Sequence, residues 1–416
     1  MSSVRYLFGL AAALLVSPSA HAQAWTLERS IAQAHSAAPE LRMAGAQVDA
    51  RTGDLNAARA WPNPTLSLRI DEKLGLEDGA GGADATQLAL TQPLPFTRRS
   101  ARIKSAEAGI EFARRDLNAR RLQLENRVAE VFHLLQLTAQ RLQLAQERER
   151  FAGALRGGKK ARKDPLTRYL SPLERQRLAI LHEQAHQEVA NAEGKYSEAL
   201  SGFRALLGLP ADAPIEITPL TPVALPAPLG RLIASLEAHP ALATEQAAVA
   251  SADADIEVAR RERLAAPTVE VFTERDYLAG ERRTYNGVIV GVQVPLWGLN
   301  AGGVARAQAQ REVAKAQAIL TRRDLLTQLM QSHAHLQHLI EQSAHSREHL
   351  LGPAQRLYEL TRRSFAAGEA NVLAVIDAYD THFNAKTGYL ELLHQGWLTA
   401  AELRLAAGQA ISGETK

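Results

Sequence analysis

Long stretches of the chain place small or apolar residues alternately three and four positions apart. From Ser100 onward the series runs Ile103, Ala106, Ile110, Ala113 and Leu117, then, after a shift of one position, Leu124, Val128, Val131, Leu135, Thr138, Leu142 and Ala145. Such spacing keeps one stripe of a helix facing a partner, as in a coiled coil, and a single stutter only retwists it. The pattern predicts a helix from about Arg98 to Ala154, roughly 85 Å long at 1.5 Å per residue. Leu178, His182, Ala185, Val189, Ala192, Tyr196, Ala199, Phe203 and Leu206 repeat the spacing, so a returning helix completes a hairpin over about 98–207. A second hairpin is predicted over about 300–408, from one helix between Gly303 and Arg363 and another between Val372 and Ala407. Alanine at many seam positions lets these helices approach closely without a thick core.

Elsewhere the period changes to two. Leu66, Leu68 and Ile70 alternate with Ser67 and Arg69, and a second run, Gln87-Leu88-Ala89-Leu90-Thr91, stops at Gln92-Pro93. Val288, Val290, Val292 and Val294 do the same some 200 residues later, after Thr268 to Thr273. Four strands are predicted, at about 64–71, 86–92, 267–274 and 285–294, paired as two hairpins. The order of elements is itself duplicated: SAAPELRMAGAQVDARTGDLNAARAWPNPTLSL is echoed by EAHPALATEQAAVASADADIEVARRERLAAPTVEV. In both copies a proline opens an alanine-rich helix that ends in Ala-Arg, and a second proline starts a strand. The expected division is a first repeat over 23–215, a proline-rich linker over 216–229, a second repeat over 230–410 and a tail over 411–416.

Four strands cannot close a barrel, and open edges are not viable in lipid, so a membrane reading requires strands from other copies. Trp61, Phe96 and Trp297 all fall at one end of the hairpins, where an interfacial aromatic belt would sit. The competing reading is ordinary half-buried hairpins packed on the helices.

Composition agrees with long helices: hydrophobic residues make up 46% of the chain and aromatics only 5%. The formal net charge of +3 demands no polyanionic partner, so no nucleic acid is expected. No cysteine is present, which excludes disulfides, thiolate metal sites and a lipid-anchored N-terminal cysteine. Residues 1–22 read as a secretory signal peptide, with Arg5 before an apolar run from Tyr6 to Val16 and a small-residue cleavage site at Ala20-His21-Ala22 or Ala22-Gln23-Ala24.

Together, AAPELRMAGAQVDA with AWPNPTLSL, the strand exit QPLPFTRRSARIKSAEA, and RRSFAAGEANVLAVIDAYDTHFNAKTGYLELLHQGWLTAAELRLAAG resemble the outer-membrane factor (TolC) family of efflux ducts. The resemblance runs over essentially the whole chain after the leader. It implies a mostly α fold with a small β part, in which duplicated long helical hairpins build a periplasmic α-barrel. Four strands per protomer then join a 12-stranded outer-membrane β-barrel in a homotrimer embedded in outer-membrane lipid. The implied partners are a periplasmic adaptor protein and an inner-membrane RND-type pump, and no cofactor is implied. Phe365, Gly368, Asp377 and Ala378 occupy the places of the family's tip motif, and Ser171-Pro172-Leu173-Glu174 those of the first-half tip. A trimer would set three Asp377 carboxylates in a ring that selects cations and helps hold the tip shut. Ala374 and Ala370 stand where a second aspartate and a basic latch can occur. PNPTLSL and SPLE look most like the branch paired with cobalt-zinc-cadmium type pumps; drug or solvent efflux and a type I secretion duct are the alternatives, and a periplasmic coiled-coil adaptor or scaffold is a more distant one.

Three motifs compete with this reading. His182-Glu183-Gln184-Ala185-His186 matches HExxH, which on a helix offers two zinc ligands and a general base. Val189 and Ala192, however, stand where a metzincin needs glycine and histidine, and His182 falls in the helical seam. Gly153 to Lys160 matches GxxxxGK, yet Lys160 replaces the magnesium-binding hydroxyl and no strand precedes it. The basic run RGGKKARK either faces an adaptor or is a solvated charged end. Histidines are also bunched at 333, 335, 338, 345 and 349. His182, His186, His345 and His349 are the candidate ligands of a metal-handling surface, with a solvated helix face as the other reading. No GxSxG elbow or dinucleotide loop is present, so no enzyme is expected.

Overall fold

The computed structural model describes residues 24–71, 85–156, 171–264, 266–278, 281–292, 294, 297 and 299–411. The leader, the tail from 412 and all but the first four residues of GALRGGKK lie outside the described residues. Thr26 opens α1 (Leu27–Ala37), its hydroxyl accepting the Arg29 N–H at 3.3 Å. Pro39 opens α2 (Pro39–Arg59) and Pro240 opens α6 (Pro240–Arg261), at positions where the absent N–H would have had no helical partner. Between them run β1 (Thr65–Asp71), β2 (Ala85–Pro93), α3 (Phe96–Arg156), α4 (Pro172–Leu206) and the short α5 (Leu229–Ser235). After α6 come β3 (Pro267–Leu278), β4 (Glu281–Val292), α7 (Ala301–Ser346), α8 (Gly352–Ala366) and α9 (Val372–Ala406). With 61 residues, α3 is roughly 90 Å long. It packs along α2, α4, α6 and α9, so one helix organises the protomer. Among the described residues no helix is long and apolar enough to cross a membrane.

The strands form one antiparallel sheet in the order β1-β2-β3-β4. The two hairpins are therefore joined through β2 and β3, with Leu88 opposite Thr273 and Leu90 opposite Val271. Gly287 lets the hairpin of β3 and β4 close: the Phe272 ring lies across it, and a Cβ there would meet Phe272 Cζ at 2.4 Å.

The long helix expected from Gly303 to Arg363 is interrupted. Residues Arg347–Leu351 form a π-turn between α7 and α8, closed by the Gly352 N–H on the Arg347 carbonyl. Pro353 supplies the reason. It has no N–H for the His349 carbonyl, and its ring would collide with that carbonyl in a regular helix, so the backbone widens by one residue.

The main core lies at the waist, where Ile31, Val128, Phe132, Leu135, Phe203 and Leu207 are buried together. The linker crosses it in extended form. Its Glu216 carbonyl accepts the Trp25 N–H at 2.7 Å, Thr218 O accepts Gln136 Nε2 at 2.7 Å, and Thr221 O accepts Trp397 Nε1 at 2.7 Å. Proline-rich backbone lacks donors but keeps acceptors, which is what these helix side chains use.

His133 sits beneath this strap, stacked on Trp397 at 4.7 Å, with Gln136 Oε1 at 2.8 Å from its Nδ1. Burial lowers its pKa to about 4 against the opposing hydrogen bond from Gln136, with the charges of His394 and Arg404 adding to the depression. The unfolded chain protonates first on acidification, so stability is full above about pH 6.5 and is lost towards pH 4. The loss from His133 amounts to about 2 kcal/mol by pH 5. Burial also depresses His239 and His394, which act with the same sign. Denaturant melts at pH 7 and pH 5 should differ by about 2 kcal/mol less in His133→Gln than in the parent chain.

Candidate functional site

Two regions carry the geometry of a channel: the sheet, and the helix ends farthest from it. On the sheet, the register brings Leu66, Leu68, Leu88, Leu90, Val271, Val288 and Val290 to one face. All are exposed, Leu66 at 68% and Val290 at 69%, and among the described residues no helix covers them. The opposite face carries Ser67, Arg69, Gln87, Glu270, Glu274 and Tyr285. There Thr91 Oγ1 donates to Glu270 at 2.8 Å, and Arg69 pairs with Asp71 at 2.7 Å. A sheet apolar on its exposed side and polar on the other is the arrangement of a barrel wall between lipid and water. Trp61 and Phe96 meet edge to face at 5.5 Å beside the helical end of the sheet, with the Arg99 guanidinium 5.5 Å from the Trp61 ring. Trp297, 89% exposed, follows β4 at the same end.

At the far end Ser171 and Glu174 form a capping box on α4. Ser171 Oγ accepts the Glu174 N–H at 3.2 Å, and the Glu174 carboxylate accepts the Ser171 N–H at 2.7 Å. That backbone hydrogen bond holds the Glu174 carboxyl below its ordinary value. Gly368 ends α8 with φ +81°, where its N–H donates to Phe365 O at 3.0 Å and the Glu369 N–H to Ser364 O at 2.8 Å. This is the left-handed C-terminal cap that favours glycine. Phe365 is half-buried, and Asn371 caps α9 by accepting the Ala374 N–H at 2.9 Å. Asp377 lies exposed on the second turn of α9, and among the described residues its carboxylate has no hydrogen-bond or ion-pair partner.

The strongest charge cluster near this end was not singled out from the sequence. Arg148 of α3 reaches Glu188 of α4 at 2.8 Å and Asp380 of α9 at 2.9 Å, with its guanidinium 4.6 Å from the Phe383 ring. Lys386 pairs with Glu147 at 3.0 Å, and Arg141 pairs with Glu391. Below them Phe151 stacks on Tyr379 at 3.7 Å. Arg148 sits in a run, QERERF, that reads as a solvated face; only its three-helix surroundings distinguish it.

The HExxH pair is drawn apart chemically. His182 is half-buried in the seam, while His186 is exposed with Nδ1 2.8 Å from Glu149, whose hydrogen bond raises the imidazole pKa. His333 is buried, its Nε2 3.2 Å from Ala227 O. His345 and His349 are exposed, with ring centroids 4.5 Å apart. Among the described residues no three or more His, Asp, Glu or Cys side chains converge as a metal centre.

The profile of the outer membrane efflux protein family matches residues 30–209 and 233–409. The cobalt-zinc-cadmium resistance protein CzcC of Cupriavidus metallidurans is 26% identical over 403 residues, covering 95% of this chain and 92% of CzcC. Among solved structures, CusC superposes with a TM-score of 0.74 at 19% identity, covering 92% of each chain. The open-state MtrE outer membrane channel of Neisseria gonorrhoeae gives 0.71 at 16% identity, covering 94% of this chain and 90% of MtrE.

Proposed function

The chain belongs to the outer membrane efflux protein family, and from that premise we propose that it is the outer-membrane duct of a tripartite pump for heavy-metal cations. It resides in the outer membrane and reaches into the periplasm, and it is a channel rather than an enzyme. In our reading three copies combine, giving a 12-stranded barrel and a tunnel of paired helical hairpins, and residues 23–215 and 230–410 are duplicated repeats. An inner-membrane RND-type pump and a periplasmic adaptor deliver cargo to the tip, where Asp377, Phe365, Gly368, Ser171 and Glu174 lie.

The observation that carries this is the sheet. β1 and β4 leave open edges, and the exposed face is apolar over the part of the sheet nearer the helices, with Leu68 at 63% and Val288 at 66%. Lipid satisfies the apolar side chains but cannot satisfy the edges, so neighbouring protomers must. The cargo reading draws on the likeness to the cobalt-zinc-cadmium resistance protein across both chains.

A strain lacking this gene should become sensitive to cobalt, zinc or cadmium and regain tolerance when the gene is restored. Unchanged metal tolerance together with new sensitivity to organic drugs would overturn the cargo assignment and leave the duct standing.

A further inference from the structure

The π-turn that follows α7 does more than absorb Pro353. In a regular helix, residues four apart are offset around the axis. A turn closed by an i→i+5 bond holds an extra residue and cancels part of that offset. His345 stands two residues before this turn and His349 within it, and their rings lie 4.5 Å apart, tilted by 43°. Two imidazole nitrogens bound to one tetrahedral d-block cation at 2.0–2.1 Å stand roughly 3.3 Å apart. Exposed rings at this separation reach that geometry by side-chain rotation alone.

We propose that His345 and His349 form a two-imidazole chelate for a borderline-soft divalent cation such as Zn²⁺, Co²⁺ or Cu²⁺, with water completing the coordination. The inference deepens the cargo reading above and rests on it for the source of the cation.

Their surroundings separate this pair from the other histidines. His186 is committed to Glu149 and His182 to the helical seam, whereas both rings of the 345/349 pair are exposed. Glu341 precedes His345 by one turn and Glu348 adjoins His349, placing two carboxylates on this segment; Arg347 is two positions from each histidine, on another side of the helix. Imidazole ligates as the neutral base, so binding weakens on acidification. Two exposed ligands hold a cation loosely enough to release it, as a transit surface requires.

The test uses the purified full-length protein in detergent, titrated with Cu²⁺ alone and read by electron paramagnetic resonance with echo modulation, which counts coordinated imidazoles. The expected result is one Cu²⁺ per protomer with a two-imidazole signature. His345→Ala or His349→Ala should leave a single imidazole and weaken binding by roughly tenfold, because the chelate is lost. H182A/H186A should change neither. Equal affinity and an unchanged spectrum in H345A/H349A would overturn the proposal. Failure here with metal efflux intact would remove the site only, and Cu²⁺ binding in a protein whose deletion leaves metal tolerance unchanged would remove the cargo reading only.

Discussion

Arginine at both Leu68 and Val288 is expected to eliminate the protein from the outer membrane. The two side chains are 63% and 66% exposed, lie mid-strand, and share the apolar face through the pairs Leu68 with Leu88 and Val288 with Val271. On the lipid side of a barrel, an arginine near the bilayer midplane costs about 2–4 kcal/mol, so the pair costs roughly 4–8 kcal/mol per protomer. That is comparable with the whole stability of a typical domain, about 5–15 kcal/mol. If the same hairpins merely projected into water, two further surface charges would change stability by no more than about 0.5 kcal/mol each. Gln87→Arg is the control. It points to the opposite face, between Arg69 and Glu274, and should insert normally. The measurement is the amount of the protein in the outer-membrane fraction. Wild-type levels of inserted Leu68→Arg/Val288→Arg would sink the lipid-facing assignment.

The faces of that sheet were legible because period-two alternation is a direct consequence of strand geometry, independent of which strand is the neighbour. The pairing of β2 with β3 was not legible. Thr91 and Glu270, which share a hydrogen bond, are 179 positions apart, and no local signal connects them. The seam was readable for a similar reason: Leu178, Ala185, Val189, Ala199 and Phe203 are all buried at the expected three-four spacing, and His182 among them is half-buried. Pro353 marked the break in the second long helix, yet heptad spacing continued through it and masked the π-turn. Ser171 and Glu174 carried a capping-box signature as well as a family place, and the geometry expresses the former. Arg148 had no signal at all, since the value of a charge depends on what other helices bring to it.

Arg148 is also where the second large effect is expected. Its guanidinium is 19% exposed and joins three helices, and its partners Glu188 and Asp380 are only 35% and 34% exposed. Removing one member of a buried ion pair costs about 3–5 kcal/mol because the remaining charge is left without compensation. With solvent reaching these carboxylates, about 2–3 kcal/mol is expected for Arg148→Met. Here two carboxylates remain, on α4 and α9, and they repel across the gap the guanidinium had filled. The strain falls on the packing of α9 against α3, near the end that bears Asp377 and Gly368. Arg148→Met should therefore lower denaturant stability and raise the conductance of the resting channel in planar bilayers. Neutralising the partners as well, in Arg148→Met/Glu188→Gln/Asp380→Asn, removes the repulsion while keeping side-chain volume, so most of the stability should return. Recovery of stability with conductance still raised assigns Arg148 the role of a latch between α3 and α9. Recovery of both means that repulsion alone had opened the packing. An Arg148→Met protein with parental stability and conductance would show that the three-helix junction holds without its central charge, and would refute the assignment.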